Sequence, residues 1–223
     1  MLIRGILFDN DGTLVDTHDL MLSSMIHATK QVLDKEYSAD ELMRGVGTTL
    51  EAQMWAFTDD PQVHQQLVDT YRGHNLAHHD SEVKAFDGIV EGLARLQKEG
   101  VALGVVTAKR HDLAWRGLEI AGAAPYLKFL VGADDCAVNK PDPAPIRAGL
   151  EKIELDAAEC LYVGDSPFDI QAGSAAGCAT VAVLWGVFSE DVLLAENPTY
   201  VVREFSELVD LVIQNRRCAF PSR

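Results

Sequence analysis

Two rhythms of apolar residues alternate along this chain. Short apolar-rich runs, most of them followed by Gly, Asp or Thr, read as buried strands over Ile3–Phe8, Ala102–Val106, Phe129–Val131, Cys160–Val163 and Thr180–Val183. Between most of these runs the apolar spacing changes to three and four, which predicts helices over Ile89–Glu99, His111–Ala121, Pro143–Ile153 and Pro167–Ala176. Strands alternating with helices of this length predict an α/β fold with a mostly parallel sheet, flanked by helices and joined by right-handed crossovers.

One connection breaks the alternation. About ninety residues separate the first strand from the second, far more than a crossover needs. Within them Leu22, Met25, Ile26, Thr29, Val32 and Leu33 fall on one helical face, Ser38 and Glu41 make a capping box, and a second long helix starts at Pro61 with Leu67, Val68 and Tyr71 facing inward. The segment from about Thr17 to Glu82 is therefore expected to be an all-helical insertion, placed as a lid over the Asp9 end of the sheet. Strand and helix patterns resume at Phe86-Asp87-Gly88.

Composition narrows the classes. The chain has 223 residues, 48% of them hydrophobic, enough for one large core or a core with an insertion. No run approaches the roughly twenty apolar residues of a membrane span and no signal peptide is visible, so no membrane partner and a cytoplasmic location are expected. A formal net charge of −15 argues against a nucleic-acid partner, because phosphate backbones are repelled over most of such a surface. Cys136, Cys160, Cys178 and Cys218 form no C-x-x-C pair and are expected to be buried free thiols. Residues 216–223 show no usable pattern.

Four clusters with chemical potential lie at or just beyond strand ends, where open α/β sheets hold their ligands. The first is Asp9-Asn10-Asp11-Gly12-Thr13, where a tight turn at Gly12 can bring the Asp9 carboxylate and the Asp11 carbonyl to one cation, a magnesium site in outline. An EF-hand calcium loop is excluded by spacing, since Leu14 and Leu20 stand where Gly and Glu are required. The second is Thr107-Ala108-Lys109-Arg110, in which a hydroxyl, free helix N–H groups and an ammonium suit a phosphate oxygen, although Thr107 alone would also serve as a helix cap. Third comes Lys140, its backbone restricted by Pro141 and Pro143. The fourth is Gly164-Asp165-Ser166-Pro167-Phe168-Asp169, with two acids one helical turn apart.

In this order the four clusters resemble the haloacid dehalogenase superfamily, in its phosphatase branch with a small helical cap. The likeness covers the core from Ile3 to about Gly186. It implies a Rossmann-like catalytic core over residues 1–16 and 83–223 and a helical cap domain over residues 17–82. It also implies Asp9 as nucleophile, Asp11 as acid and then base, magnesium held by Asp9, Asp11 through its backbone carbonyl, Asp165 and Asp169, and a phosphoryl group gripped by Thr107 and Lys140. Charge supports that assignment: an anionic nucleophile meets an anionic phosphate only when a dication and an ammonium neutralise the pair. Two positions depart from the pattern. Asn10 replaces an apolar residue, and Ala108 stands where many relatives carry Asn, which turns attention to Lys109.

Substrate choice is expected to be written in the cap. Arg44-Gly45-Val46-Gly47-Thr48 resembles the cap loop lowered onto substrates in this branch, making Arg44 and Gly47 candidate contacts. His74 and His78 have the i, i+4 spacing of zinc ligands but lack the glutamate of H-E-x-x-H, so with His79 they are expected at the cap–core hinge, in a stretch with local likeness to pyrophosphatase members. Trp185 reads as a core residue. The expected activity is a magnesium-dependent phosphatase of phosphoglycolate phosphatase-like architecture, acting on a small phosphorylated metabolite as a monomer or weak homodimer. Pyrophosphatase and sugar-phosphate mutase are the alternatives within the superfamily, and a non-catalytic phosphate-binding module is the alternative outside it.

Overall fold

The computed structural model describes residues 2–219. Its first strand, β1 (Gly5–Phe8), is followed by β2 (Val15–Asp16), the helices α1 (His18–Leu33), α2 (Ala39–Met43), α3 (Leu50–Met54) and α4 (Pro61–Glu82), and then β3 (Lys84–Ala85). The alternation resumes with α5 (Ile89–Lys98), β4 (Ala102–Val106), α6 (His111–Ile120), β5 (Leu130–Val131), α7 (Ala144–Ile153), β6 (Cys160–Gly164), α8 (Pro167–Ala176) and β7 (Ala179–Val183). It ends with α9 (Glu190–Leu194), β8 (Tyr200–Val202) and α10 (Phe205–Ala219).

Six strands form one parallel sheet in the order β5-β4-β1-β6-β7-β8. Successive side chains of a strand point to opposite faces, so each inner strand serves two cores. Ile6 and Phe8 of β1, with Leu161 and Val163 of β6, join the cluster that holds Leu93 of α5, Leu118 of α6 and Leu208 of α10. Leu7, Cys160 and Tyr162 join Ile146 and Leu150 of α7 on the other face. Burial on both faces explains why these strands read as apolar runs.

β1 lies at the sheet's switch point. Its neighbours are β4 on one side and β6 on the other, paired in register from Gly5 to Phe8. Asp9, Thr107 and Asp165 therefore leave adjacent strands side by side at the carboxyl edge.

The helices α1 to α4 bury their own cluster of Met25, Ala28, Leu42, Met54, Leu67 and Val68. Asp60 caps α4 through the Gln62 and Val63 amides, Pro61 supplies its first turn, and the Ser38–Glu41 capping box starts α2. The α1 face needs one correction. Ile26 is 51% exposed, and the buried line runs through Leu20, Ser24, Met25, Ala28 and Thr29, because the small residues Ser24 and Ala28 sit at the centre of the face.

Further elements have no counterpart in the sequence reading: the short pair β2–β3, the helix α9, the edge strand β8 and the helix α10. Arg216 of α10 donates to the carbonyls of Ile3 and Glu99 (both 2.9 Å), tying the helix to the start of the chain. Residues 220–223 and the side chain of Cys218 lie outside the described residues. Cys160 and Cys178 are buried free thiols as expected, whereas Cys136 is only half-buried. Among the described residues no helix is long and apolar enough to cross a membrane.

Candidate active site

Three carboxylates and one ammonium are packed together at the carboxyl edge. Asp9, Asp165 and Asp169 are all buried, and one oxygen from each lies within 4.8 Å of the others. Lys140 reaches them from the loop between β5 and α7. Its side chain is 1% exposed, its Nζ donates to Asp169 Oδ1 at 2.6 Å, and it lies 3.0 Å from Asp9 Oδ1.

Asp169 is the most committed of the three. Its Oδ2 accepts from the Ser166 amide and hydroxyl (3.1 and 2.5 Å), closing the capping box of α8, while its Oδ1 takes Lys140 and lies 3.2 Å from the Tyr162 hydroxyl. Asp165 accepts from the Val187 amide (2.9 Å) and, more weakly, from the Thr13 hydroxyl (3.4 Å). Asp9 Oδ1 is different: it is buried and makes no hydrogen bond, Lys140 being close but not aligned. A buried anionic oxygen without a hydrogen bond is costly unless something else binds it.

Electrostatics point the same way. Burial, helped by the charges of Asp169 and Asp11 and opposed by Lys140, pushes the Asp9 carboxyl up to about 7. Burial and the neighbouring Asp169 and Asp9 raise Asp165 as well. Lys140 moves upward against its own burial because Asp169 and Asp9 hold its proton. One ammonium does not balance three carboxylates. Hard oxygen ligands converging from separate segments fit a magnesium-sized dication, with Asp9 and Asp165 offering oxygens and Asp169 already engaged with Lys140 and Ser166.

Asp11 faces a separate partner. Its Oδ1 accepts from Lys109 Nζ (2.7 Å) and the Thr17 hydroxyl (2.8 Å). Burial alone would raise its carboxyl, but the Lys109 ammonium and these hydrogen bonds outweigh burial and hold it below the usual range. Thr107 does not cap α6, whose first-turn boundary is Arg110; its hydroxyl instead accepts from the Lys109 amide at 3.2 Å and lines the cleft above Asp9. The turn that makes this geometry possible needs Gly12, at φ +77°. A Cβ there would lie 2.3 Å from Asp165 Oδ2.

The cleft runs from this edge to the inserted helices, with a volume of about 300 Å³. Asp9, Asp11, Thr107, Ala108 and Lys109 form its floor, and Gly47 borders it from the insertion. A Cβ on Gly47 would fall 2.4 Å from Ser166 Oγ, so this loop of the insertion rests directly on the start of α8. Arg44 is not brought in: it ends α2, exposed, and its place at the cleft is taken by Arg72 of α4, paired with Glu51. Nothing in the helical spacing distinguished Arg72 from a solvated charge. His74 stacks between His27 and His78, while the buried His79 packs near Gly117 of α6 and beside Asp80, which pairs with Arg116. Trp185 packs on the main core and also donates to the Thr13 carbonyl (3.0 Å). The adjoining Gly186 leaves room for the Asp165 carboxylate.

Comparison with known proteins gives the family. The profile described as haloacid dehalogenase-like hydrolase matches residues 6–183. A protein of Bacillus pumilus named pyrophosphatase PpaX is 33% identical over 210 residues, covering 94% of this chain and 96% of its own. A provisionally named pyrophosphatase PpaX of Caldanaerobacter subterraneus subsp. tengcongensis is 35% identical, covering 95% and 96%. Among solved structures, a predicted phosphoglycolate phosphatase from Haemophilus somnus 129PT superposes with a TM-score of 0.85 at 24% identity, over 94% of this chain and 97% of that one, which speaks for the fold. With the match over residues 6–183 and the near full-length likeness to these relatives, the chain belongs to the haloacid dehalogenase-like hydrolases.

Proposed function

We propose that this protein is a magnesium-dependent phosphohydrolase acting on a small phosphorylated metabolite through an aspartyl-phosphate on Asp9, with residues 17–82 as its cap domain. The observation that carries this reading is the buried set Asp9, Asp165 and Asp169, which has only Lys140 to balance it.

When bound, the dication supplies positive charge that offsets the phosphate and its nucleophile. The chain's own groups do the rest. An Asp9 carboxylate oxygen attacks phosphorus, a P–O bond forms, and the ester P–O bond breaks. Lys140 and Thr107 hold the equatorial oxygens in place. Asp11 gives its proton to the leaving oxygen, and then as carboxylate takes a proton from the water that attacks phosphorus and returns Asp9 free with release of phosphate. The Lys109 contact keeps Asp11 in the carboxylate form that the water step needs. For the acid step Asp11 must first hold a proton, taken from solvent in the first turnover and from the attacking water in each later one.

A second reading, inorganic pyrophosphatase, is favoured by the names of the relatives at 33% and 35% identity. Steady-state phosphate release from phosphoglycolate, sugar phosphates and pyrophosphate, with and without magnesium, separates the two. Asp9→Asn should lower kcat about 10⁴-fold or more while circular dichroism stays native, the size of loss seen when a covalent nucleophile is removed. Undiminished turnover by that variant would exclude Asp9 as the nucleophile.

A further inference from the structure

The walls of the cleft differ in kind from its floor. Above Asp9 and Lys109, most of the surface is made by Met21 of α1, Val46 and Leu50 of the loop before α3 and of α3, Tyr71 and Leu76 of α4, and Leu113 of α6, with Thr48, Gln53 and Asn75 as neutral polar members. Leu76 is 58% exposed at the mouth, an apolar side chain with no protein cover. The cations that border the cleft are already committed: Lys109 to Asp11, Arg72 to Glu51, and Arg110 to Asp112 at 3.6 Å. A second anionic group on a substrate would have to displace one of these carboxylates. A neutral apolar group has only water to displace.

Size supports the same conclusion. A cavity of about 150 Å³ accepts a benzene ring, and this cleft has about 300 Å³, room for a phosphoryl group and a ring-sized body together. We propose that the alcohol half of the substrate is a ring-sized, largely apolar body without a second anionic group. Leu50, Tyr71, Leu76 and Leu113 hold it while the phosphoryl group lies on Asp9. This names the substrate class of the site and rests on the phosphohydrolase reading above.

Benzyl phosphate and ethyl phosphate test it well, because their alcohols are similar in acidity and differ mainly in the ring. Phosphate release is measured for both, and for phosphoglycolate and pyrophosphate, with magnesium present. The expected result is a kcat/KM for benzyl phosphate at least about tenfold above ethyl phosphate and above both competitors that carry a second anionic group, the discrimination an apolar pocket provides. Leu76→Ser and Leu113→Ser should each move the benzyl-to-ethyl ratio toward one. That ratio is taken within a single preparation, so any loss of folded protein cancels. If ethyl phosphate, phosphoglycolate or pyrophosphate equals or exceeds benzyl phosphate, the apolar-body proposal is overturned and the phosphohydrolase reading stands. Release from none of the four overturns both.

Discussion

The carboxyl edge of the sheet and the cap wall facing it are built on opposite principles. At the edge the polar groups are buried and held by one another, Lys140 by Asp169, Ser166 by Asp169 and Val187 by Asp165, with Asp9 Oδ1 left without a hydrogen bond. Across the cleft, the inserted helices offer mostly apolar side chains, the neutral polar Thr48, Gln53 and Asn75, and one partly exposed ion pair, Arg72–Glu51. Low dielectric makes each charge at the edge expensive to misplace, so its residues are rigidly specified, whereas an apolar wall tolerates exchange of one side chain for another. On the proposed reading, chemistry belongs to the first surface and selectivity to the second.

The largest expected effect comes from removing the counter-charge of the edge. Lys140→Ala should leave three buried carboxylates unbalanced, lowering stability by about 3 to 5 kcal/mol in urea unfolding without metal. It should also lower kcat about 10³-fold through loss of charge opposite the phosphoryl oxygens. A small change in both would mean the edge is not the tightly balanced cluster described.

A middle-sized effect should come from the point where the two surfaces touch. Gly47→Ala places a methyl into Ser166 and strains a residue at φ +98°. The stability cost should be about 1 kcal/mol, the scale of a side chain forced to positive φ. The loss in kcat/KM should be larger, about tenfold, because misplacement of the cap loop acts on positioning of the substrate. Full activity in this variant would break the idea that the two surfaces must meet.

The smallest effect distinguishes two cap arginines. Arg72→Ala should raise KM about two- to fivefold, the scale of a partly exposed ion pair, because it leaves Glu51 unpaired beside an anionic substrate. Arg44→Ala, outside the cleft, should leave KM unchanged. The reverse order would mean that the cap loop approaches substrate differently from the arrangement seen here.

The contrast also explains what could be read from the residues alone. The central strands and the helices from α5 to α8 were legible because burial on two faces or one stripe leaves an unmistakable apolar period. Asp9, Lys140, Asp165 and Asp169 could be singled out because polar residues just after such strands have few other places to go. The cap's contribution was harder to see. Whether Arg44 or Arg72 faces the cleft depends on how α2 and α4 rotate in their own packing, and the buried line of α1 departs from its apolar spacing at Ile26 for the same reason. The β8 strand is three residues long at a sheet edge, and the β2–β3 strands are two residues each, too short to show a period. The apolar spacing of α10, Phe205, Leu208, Val209, Val212 and Ile213, was present in the chain but lay beyond the segment covered by the motifs.

β2 and β3 lie antiparallel where the chain leaves the sheet and where it returns, with Val15 opposite Ala85 and Asp16 opposite Lys84. To the sheet, what lies between them resembles a turn, since each doubling of the length beyond the pair adds only about 0.6 kcal/mol to the cost of closing the ends. If the inserted helices are the cap proposed above, such a neck lets one be exchanged for another like an interchangeable tool head, with the reaction kept and the choice of guest rewritten.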